Sequence, residues 1–321
     1  MLIYEGLMLS AEDSTGKGIA DFLWEMLMIN FAMVLRLIRI RHWLKNLFVF
    51  APLIFSSNLT DLTSLLRAFL IFIAFCLISS SVYIFNDIRD RESDSHHSRK
   101  KNRPVASGEI KLRDAWIIAG ILATLAVLVT LFLPYLALVF LLLYVVENVF
   151  YTLKGKDMVL IDAFCISAGF VIRVMAGAYA IETSPTGWIV VTTFFLSLFL
   201  GFGKRRNELL TLKEESNNHR KVLTLYDDKY LDYLMIATAA ISIISYTLYC
   251  LDPQVIEKFS TDKLVYTVPF VTYGIFRYLL LLFRNGEGDP TEVVTRDRGI
   301  ALTVLLWIVS VMLLIYFPIW M

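Results

Sequence analysis

The sequence predicts an all-α integral membrane fold of about nine transmembrane helices, and three observations carry that expectation. First, hydrophobic residues make up 57% and charged residues 18% of the 321-residue chain, with a mean hydropathy of +0.65. An average soluble domain is roughly 45–50% apolar and about 25% charged. Second, the uncharged runs Ala68 to Phe85 and Ile300 to Met321 each compare with the roughly 20 residues that cross a hydrocarbon core, and Ala115 to Val146 is long enough to cross and return. Third, lysine and arginine are sorted into alternate breaks between the apolar runs, a pattern hidden by the formal net charge of +1.

The breaks define the elements in order. Charged or Gly/Pro-containing interruptions bound apolar segments at 33–55, 64–88, 114–132, 135–153, 158–180, 187–207, 230–251, 264–284 and 299–319. The loops after the second, fourth, sixth and eighth segments hold most of the basic residues, from Arg89 through Arg113, Lys154 and Lys156, Lys204 through Lys229, and Arg284 with Arg296 and Arg298. The opposite loops and their edges hold only Arg67, Lys258 and Lys263. Because cytoplasmic loops retain Lys and Arg, this asymmetry predicts an N-terminus inside and a C-terminus outside a cytoplasmic membrane, as an odd helix number requires.

Before the bundle, residues 1–30 form a cytoplasmic segment, either a surface helix over Ser14 to Asn30 or disordered. Glu5, Glu12 and Asp13 precede any strongly basic residue there, which is not the order of a cleavable signal peptide. Residues 31–321 then constitute one transmembrane catalytic domain. Cys76, Cys165 and Cys250 lie in apolar stretches without CxxC spacing and read as buried structural thiols. The four histidines lack metal-ligand spacing on a common helix, and neither a GxSxG elbow nor a Walker loop is present.

Chemistry concentrates at the end of the second segment, SVYIFNDIRDRESDSHHSRKKNRPVASG. Asp87, Asp90 and Asp94 follow i, i+3, i+7 spacing, which on one continuous helix confines them to an arc of about 60° and separates Asp87 from Asp94 by about 10 Å. Like charges on one stripe call for a cation between them. That separation is too long for direct chelation of one ion with bonds of about 2.1 Å, so the pattern suits more than one Mg²⁺ with a diphosphate bridging them. All-oxygen ligands point to Mg²⁺ or Mn²⁺ rather than zinc.

A second charged stretch, GKRRNELLTLKEESNNHRKVLTLYDDKYLDYL, follows the sixth segment. Lys204 with Glu208, and Asp228 with Asp232, are i, i+4 neighbours that share a face, and the aspartate pair is a candidate second metal site. Arg39, Arg41 and Lys45 lie at the edge of the first segment, in the position of phosphate ligands or lipid anchors. Arg173 falls inside the fifth segment, where an ionisable group is a functional hypothesis unless its head snorkels outward.

Taken together, NDIRDRESD resembles the NDxxDxxxD signature of the UbiA superfamily of intramembrane prenyltransferases. Within it, the chain looks most similar to the decaprenyl-phosphate phosphoribosyltransferases through RIRHWLKN, RPVASG, VIRVMAG, GKRRNEL and EVVTRDR, spread from Arg39 to Arg298. The resemblance implies nine helices around a lipid-open cavity and a catalytic group of Asp87, Asp90, Asp94 and Lys45. It implies metal binding by Asn86, Asp87, Asp90 and Asp94, joined by Asp228 and Asp232, and anion gripping by Lys45, Lys204 and Arg205. The acidic pair Asp228 and Asp232 is a feature of the classical prenyltransferases that the phosphoribosyltransferases need not have. Substrate contacts are expected from Arg39, Asn86, Arg103, Lys204, Arg205, Glu208 and Tyr226.

The surplus of cations, Arg39, Lys45, Arg103, Lys204, Arg205 and Arg206, favours a donor with several anionic groups. The expected reaction transfers 5-phosphoribose from phosphoribosyl diphosphate to a polyprenyl phosphate and releases pyrophosphate. The alternative moves a polyprenyl chain from its diphosphate to an aromatic or other small acceptor. The DG-and-AR portion of the CDP-alcohol phosphotransferase motif is absent, and a transporter would carry charge nearer the midplane. The bilayer and the two substrates are the expected partners, with no nucleic acid; a homo-oligomer is compatible with the sequence.

Overall fold

The computed structural model describes residues 33–96, 100–214, 226–285, 293 and 296–317, with the side chains of 211–214 and 285 left aside. The segment 1–30, with its expected surface helix, lies outside the described residues. Eight helices among the described residues are long and apolar enough to cross a membrane. They are α1 (Leu62–Arg89), α2 (Leu112–Thr130), α3 (Tyr135–Leu153), α4 (Ile161–Ala180), α5 (Gly187–Glu214), α6 (Asp228–Leu251), α7 (Val268–Asn285) and α8 (Arg298–Tyr316). These match the second to ninth predicted segments to within a few residues, apart from the longer α5.

The first predicted segment is not a regular α-helix. Residues 33–38 are helical, Arg39 takes a left-handed conformation (φ 53°, ψ 54°), and Ile40–Phe50 continues as a 3₁₀ helix before the short α-helical turn Ala51–Ile54. Runs of 3₁₀ helix longer than three or four residues are uncommon, so tertiary contacts must hold this one. Much of that contact is with α1 and α4. On α4, a Cβ added to Gly177 would stand 2.1 Å from the carbonyl oxygen of Val49, so only glycine lets the two backbones meet there.

Helix starts follow ordinary capping chemistry. Asp61 accepts from the amides of Thr63 and Ser64 to open α1, and Asp297 accepts from Ile300 to open α8. Hydrogen bonding from the Arg277 side chain holds the Asp297 carboxyl below its ordinary value. At 28 residues α1 is about 42 Å long, more than the roughly 30 Å hydrocarbon thickness, so its last turns project beyond the membrane core.

Burial separates inner from outer helices. The spanning windows of α1 and α4 are 61% buried within the protein, that of α2 only 17%. Large apolar side chains such as Phe132, Tyr135 and Tyr266 are exposed on the outer surface, as lipid contact demands and water would not tolerate. One core joins Ile71, Phe75, Leu141, Tyr144, Ile172 and Ala176 of α1, α3 and α4. Another joins Phe199, Phe202, Met235, Tyr278 and Leu282 of α5, α6 and α7. Cys76, Cys165 and Cys250 are free and buried, as expected.

Candidate active site

Ion pairs collect at one end of the bundle, where α1, α3 and α5 finish and α4 and α6 begin. At the close of α1, Asp87 is 2% and Asp94 3% exposed. The helix does not run straight through the aspartates. It ends at Arg89, Asp90 sits between helices with φ −91° and ψ 5°, and a five-residue helix, Arg91–Ser95, follows. Arg103 reaches both carboxylates from one nitrogen, Nη1, at 3.1 Å from Asp87 Oδ1 and 2.5 Å from Asp94 Oδ2. The expectation of one continuous stripe with widely spaced Asp87 and Asp94 is therefore corrected: the break at Asp90 lets one nitrogen bridge them.

Arg39 also binds Asp87, and its guanidinium lies 5.2 Å from the centroid of the Tyr83 ring. The left-handed backbone of Arg39 is unfavourable for a residue with a Cβ by about 1 kcal/mol or more, and these contacts hold it. Asp90 turns the other way, to Lys156 in the loop between α3 and α4. Asn86 accepts from the hydroxyl of Thr152 at the end of α3. Lys45 and Lys204 are half-buried.

Arg205, Glu208 and Tyr226, expected as substrate contacts, are brought together around the buried Asp162, where they also brace the fold. Arg205 is 1% exposed; its Nε lies 2.5 Å from Oδ2 of the fully buried Asp162, and it also pairs with Glu208 and donates to the Tyr151 hydroxyl at 3.2 Å. Tyr226 donates to Asp162 Oδ1 at 3.0 Å and accepts from the amide of Leu160 at 2.6 Å. Burial pushes the Tyr226 phenol up, so it stays protonated. A guanidinium so enclosed has its charge matched from within the protein.

The second acidic pair departs from expectation too. Asp232 binds Arg206 Nε at 2.5 Å, and Arg206 in turn lies 4.4 Å from the centroid of the Phe283 ring. Among the described residues, no group of three or more His, Cys, Asp or Glu side chains stands ready to enclose a metal ion. The joint set Asn86, Asp87, Asp90, Asp94, Asp228 and Asp232 is thus not gathered as one ligand shell: Arg39, Arg103, Lys156 and Arg206 hold the carboxylates of Asp87, Asp94, Asp90 and Asp232. The Asp87 and Asp94 pair still fits a divalent cation, because two buried carboxylates already converge on one positive group with oxygen-only donors.

Arg173 does not snorkel. It is 4% exposed and donates to Asn46 Oδ1 at 2.8 Å, to the Gly169 carbonyl at 2.8 Å and to the Tyr144 hydroxyl at 2.9 Å. Sequence reasoning missed Asp162, Tyr151, Thr152 and Asn46, and counted Lys156 only as a charge on a loop. The signal for Asp162 is a lone carboxylate entering an apolar helix, and for Asn46 a polar side chain next to Lys45 in an apolar run.

The helical membrane bundle thus gathers carboxylates and guanidiniums at one end. The chain belongs to the UbiA prenyltransferase family, whose profile matches residues 47–294. It is 29% identical to the decaprenyl-phosphate phosphoribosyltransferase of Mycolicibacterium smegmatis over 88% of this chain and 92% of that one. It is 30% identical to the enzyme of the same name from Corynebacterium glutamicum, over 88% and 86% respectively. In fold it is similar to a UbiA homolog from Archaeoglobus fulgidus bound to GPP and Mg²⁺, with a TM-score of 0.69 at 19% identity over 88% of this chain and 99% of that one. The chain is a multi-pass membrane transferase.

Proposed function

We propose that the protein transfers 5-phosphoribose from phosphoribosyl diphosphate to a polyprenyl phosphate in a Mg²⁺-dependent reaction that releases pyrophosphate, at the cytoplasmic face of a cell membrane. The observation that carries this reading is that three cations stand on the three carboxylates, Arg39 and Arg103 on Asp87, Arg103 on Asp94 and Lys156 on Asp90, so that a divalent ion taken up by the carboxylates would leave all three cations for phosphate groups. A prenyl diphosphate has one anionic end. The phosphoribosyl donor adds a 5-phosphate and the lipid acceptor a third anion, and more anions require more cations. The names of the relatives support a phosphoribosyl group as cargo and a polyprenyl phosphate as acceptor.

Asp87, Asp90 and Asp94, with Asn86, would hold the divalent ion, Mg²⁺ or Mn²⁺, which when bound neutralises the charge of the diphosphate leaving group. With their carboxylates holding the ion, Arg39, Arg103 and Lys156 would be released to contact phosphate oxygens, the two guanidiniums bidentately. Lys45 and Lys204 grip the remaining anions. The acceptor phosphate is already ionised and attacks the anomeric carbon from the face opposite the leaving group. No aspartate acts as a base. Asp162, Arg205, Glu208 and Tyr226 hold α4, α5 and the lead-in to α6 so that these cations stay in register.

The test is pyrophosphate release by the purified protein in detergent with Mg²⁺, phosphoribosyl diphosphate and a polyprenyl phosphate. Release is expected with that pair. No release with it, but turnover of an isoprenyl diphosphate with a phenolic acceptor, would replace this reading with prenyl transfer.

A further inference from the structure

The inner face of α3 carries polar side chains that the phosphate and metal assignments leave unused. Tyr144, Glu147, Asn148, Tyr151 and Thr152 recur at three- and four-residue spacing and so share one side of the helix. Their partners put that side within the bundle: Tyr144 meets Arg173 of α4, Tyr151 meets Arg205 of α5, and Thr152 meets Asn86 of α1. In the middle of this line the Glu147 carboxylate accepts from Asn148 Nδ2 at 2.7 Å, its one hydrogen bond among the described residues. Opposite stands Gly169, where a Cβ would lie 3.5 Å from Glu147 Oε2 and 3.4 Å from Arg173 Nη1. Carboxylate and guanidinium therefore converge on the same side of Gly169, where a larger side chain would stand in contact with both.

A carboxylate on a membrane-spanning helix is unfavourable unless its oxygens are hydrogen-bonded, and it has about four lone-pair sites for donors. Asn148 fills one of them. A prenyl chain brings no donor at all. A pentose brings vicinal hydroxyls, two O–H donors whose spacing suits the two oxygens of one carboxylate. Charge narrows the assignment, because the Arg173 guanidinium at the same point balances Glu147 and leaves no net positive charge for a phosphate, whereas Arg39, Arg103 and Lys156 offer cations. The neutral ring of a phosphorylated sugar suits this place better than its phosphates. Glu147 lies five residues before Thr152, about 7.5 Å along the axis, so it stands about one sugar's width below the Asn86 contact.

We infer that Glu147, supported by Asn148, is the subsite for the ribose hydroxyls of the donor and discriminates that donor from an isoprenyl diphosphate. The inference rests on the donor reading proposed above.

The experiment compares wild type and Glu147→Gln for pyrophosphate release from phosphoribosyl diphosphate and from an analogue with hydrogen in place of the 2-hydroxyl. The wild type should disfavour the deoxy donor by roughly 10–100-fold in kcat/KM, the loss of a charge-assisted hydrogen bond. In Glu147→Gln, kcat/KM for the natural donor should fall by a similar factor, the deoxy penalty should shrink toward unity, and KM for the polyprenyl phosphate should not move. Glu147→Asp, which keeps the charge but withdraws it by one methylene, should give an intermediate penalty and repeats the test without neutralising the site. A deoxy penalty undiminished in both variants, or an equal loss toward both substrates, overturns the subsite while leaving the donor reading intact. A wild type that releases no pyrophosphate from phosphoribosyl diphosphate but consumes an isoprenyl diphosphate overturns the donor reading, and the subsite with it.

Discussion

Arg205 and Asp162 form a fully buried ion pair, Nε to Oδ2 at 2.5 Å, that ties the end of α5 to the start of α4. Removing one partner leaves an uncompensated charge inside the protein. Asp162→Ala should destabilise the fold by about 3–5 kcal/mol, toward the lower figure because Glu208 still faces Arg205. Thermal unfolding in detergent measures this. The double variant Asp162→Leu with Arg205→Met should recover much of the loss, since no orphaned charge remains.

Arg103 bridges Asp87 and Asp94, so its loss should separate metal binding from turnover. In Arg103→Ala the carboxylates lose a competing cation, and half-activation should need less Mg²⁺. Without the guanidinium for phosphate contact, kcat/KM for the donor should fall by about 10²-fold. A Mg²⁺ titration of pyrophosphate release reads both effects, and chelation of the metal should abolish release in wild type and variant alike.

Asp87 is the buried carboxylate that both Arg39 and Arg103 touch. Asp87→Asn keeps its shape but not its charge, and Asp94→Asn does the same at the second position. Each should lower kcat by about 10³-fold or more while the protein remains extractable and folded. Near-normal turnover of either variant would remove the metal assignment.

Gly177 admits the backbone of Val49 at a distance that no Cβ allows. Gly177→Ala must displace the 3₁₀ segment that carries Lys45 and adjoins Arg39. A loss of about 1–3 kcal/mol in stability is expected, with a raised KM for the anionic donor. The adjacent Ala176→Gly, which only removes a methyl group, should leave that KM unchanged.

Asp297 is held below its ordinary carboxyl value, first by the Arg277 side chain. A depressed folded value means that the ion pair stabilises the protein above the unfolded carboxyl value of about 3.9 and that this contribution is lost as pH falls through the folded value. Asp297→Asn should therefore unfold at a lower temperature than wild type at neutral pH. The difference should close below about pH 4, in a comparison of melting temperatures across pH.

Much of the architecture is legible in the residues because each spanning segment must satisfy its own backbone in lipid, and only a helix does so alone. The runs that became α1 and α8 needed no tertiary information. The first segment was misread for the same reason: its apolar pattern fits a helix, whereas its 3₁₀ path depends on α4 presenting Gly177 to Val49. Likewise, NDIRDRESD marks the site, but the break at Asp90 that draws Asp94 back toward Arg103 leaves no periodic trace.

The sequence by itself determined that the chain is a helical membrane protein with its charge gathered in alternate loops, through hydrophobic run length and the sorting of Lys and Arg. It also singled out Asp87, Asp94, Arg39 and Arg103, which the fold brings together as ion-paired neighbours. Only the tertiary structure decided which charges face one another: Arg205 toward Asp162, Lys156 toward Asp90, Arg206 toward Asp232, and Arg173 inward to Asn46 and Tyr144. The physical reason is that a cation in a low-dielectric interior is assigned by the nearest acceptor in space, and that acceptor lies 26 to 127 residues away along the chain for Asp232 and Asn46.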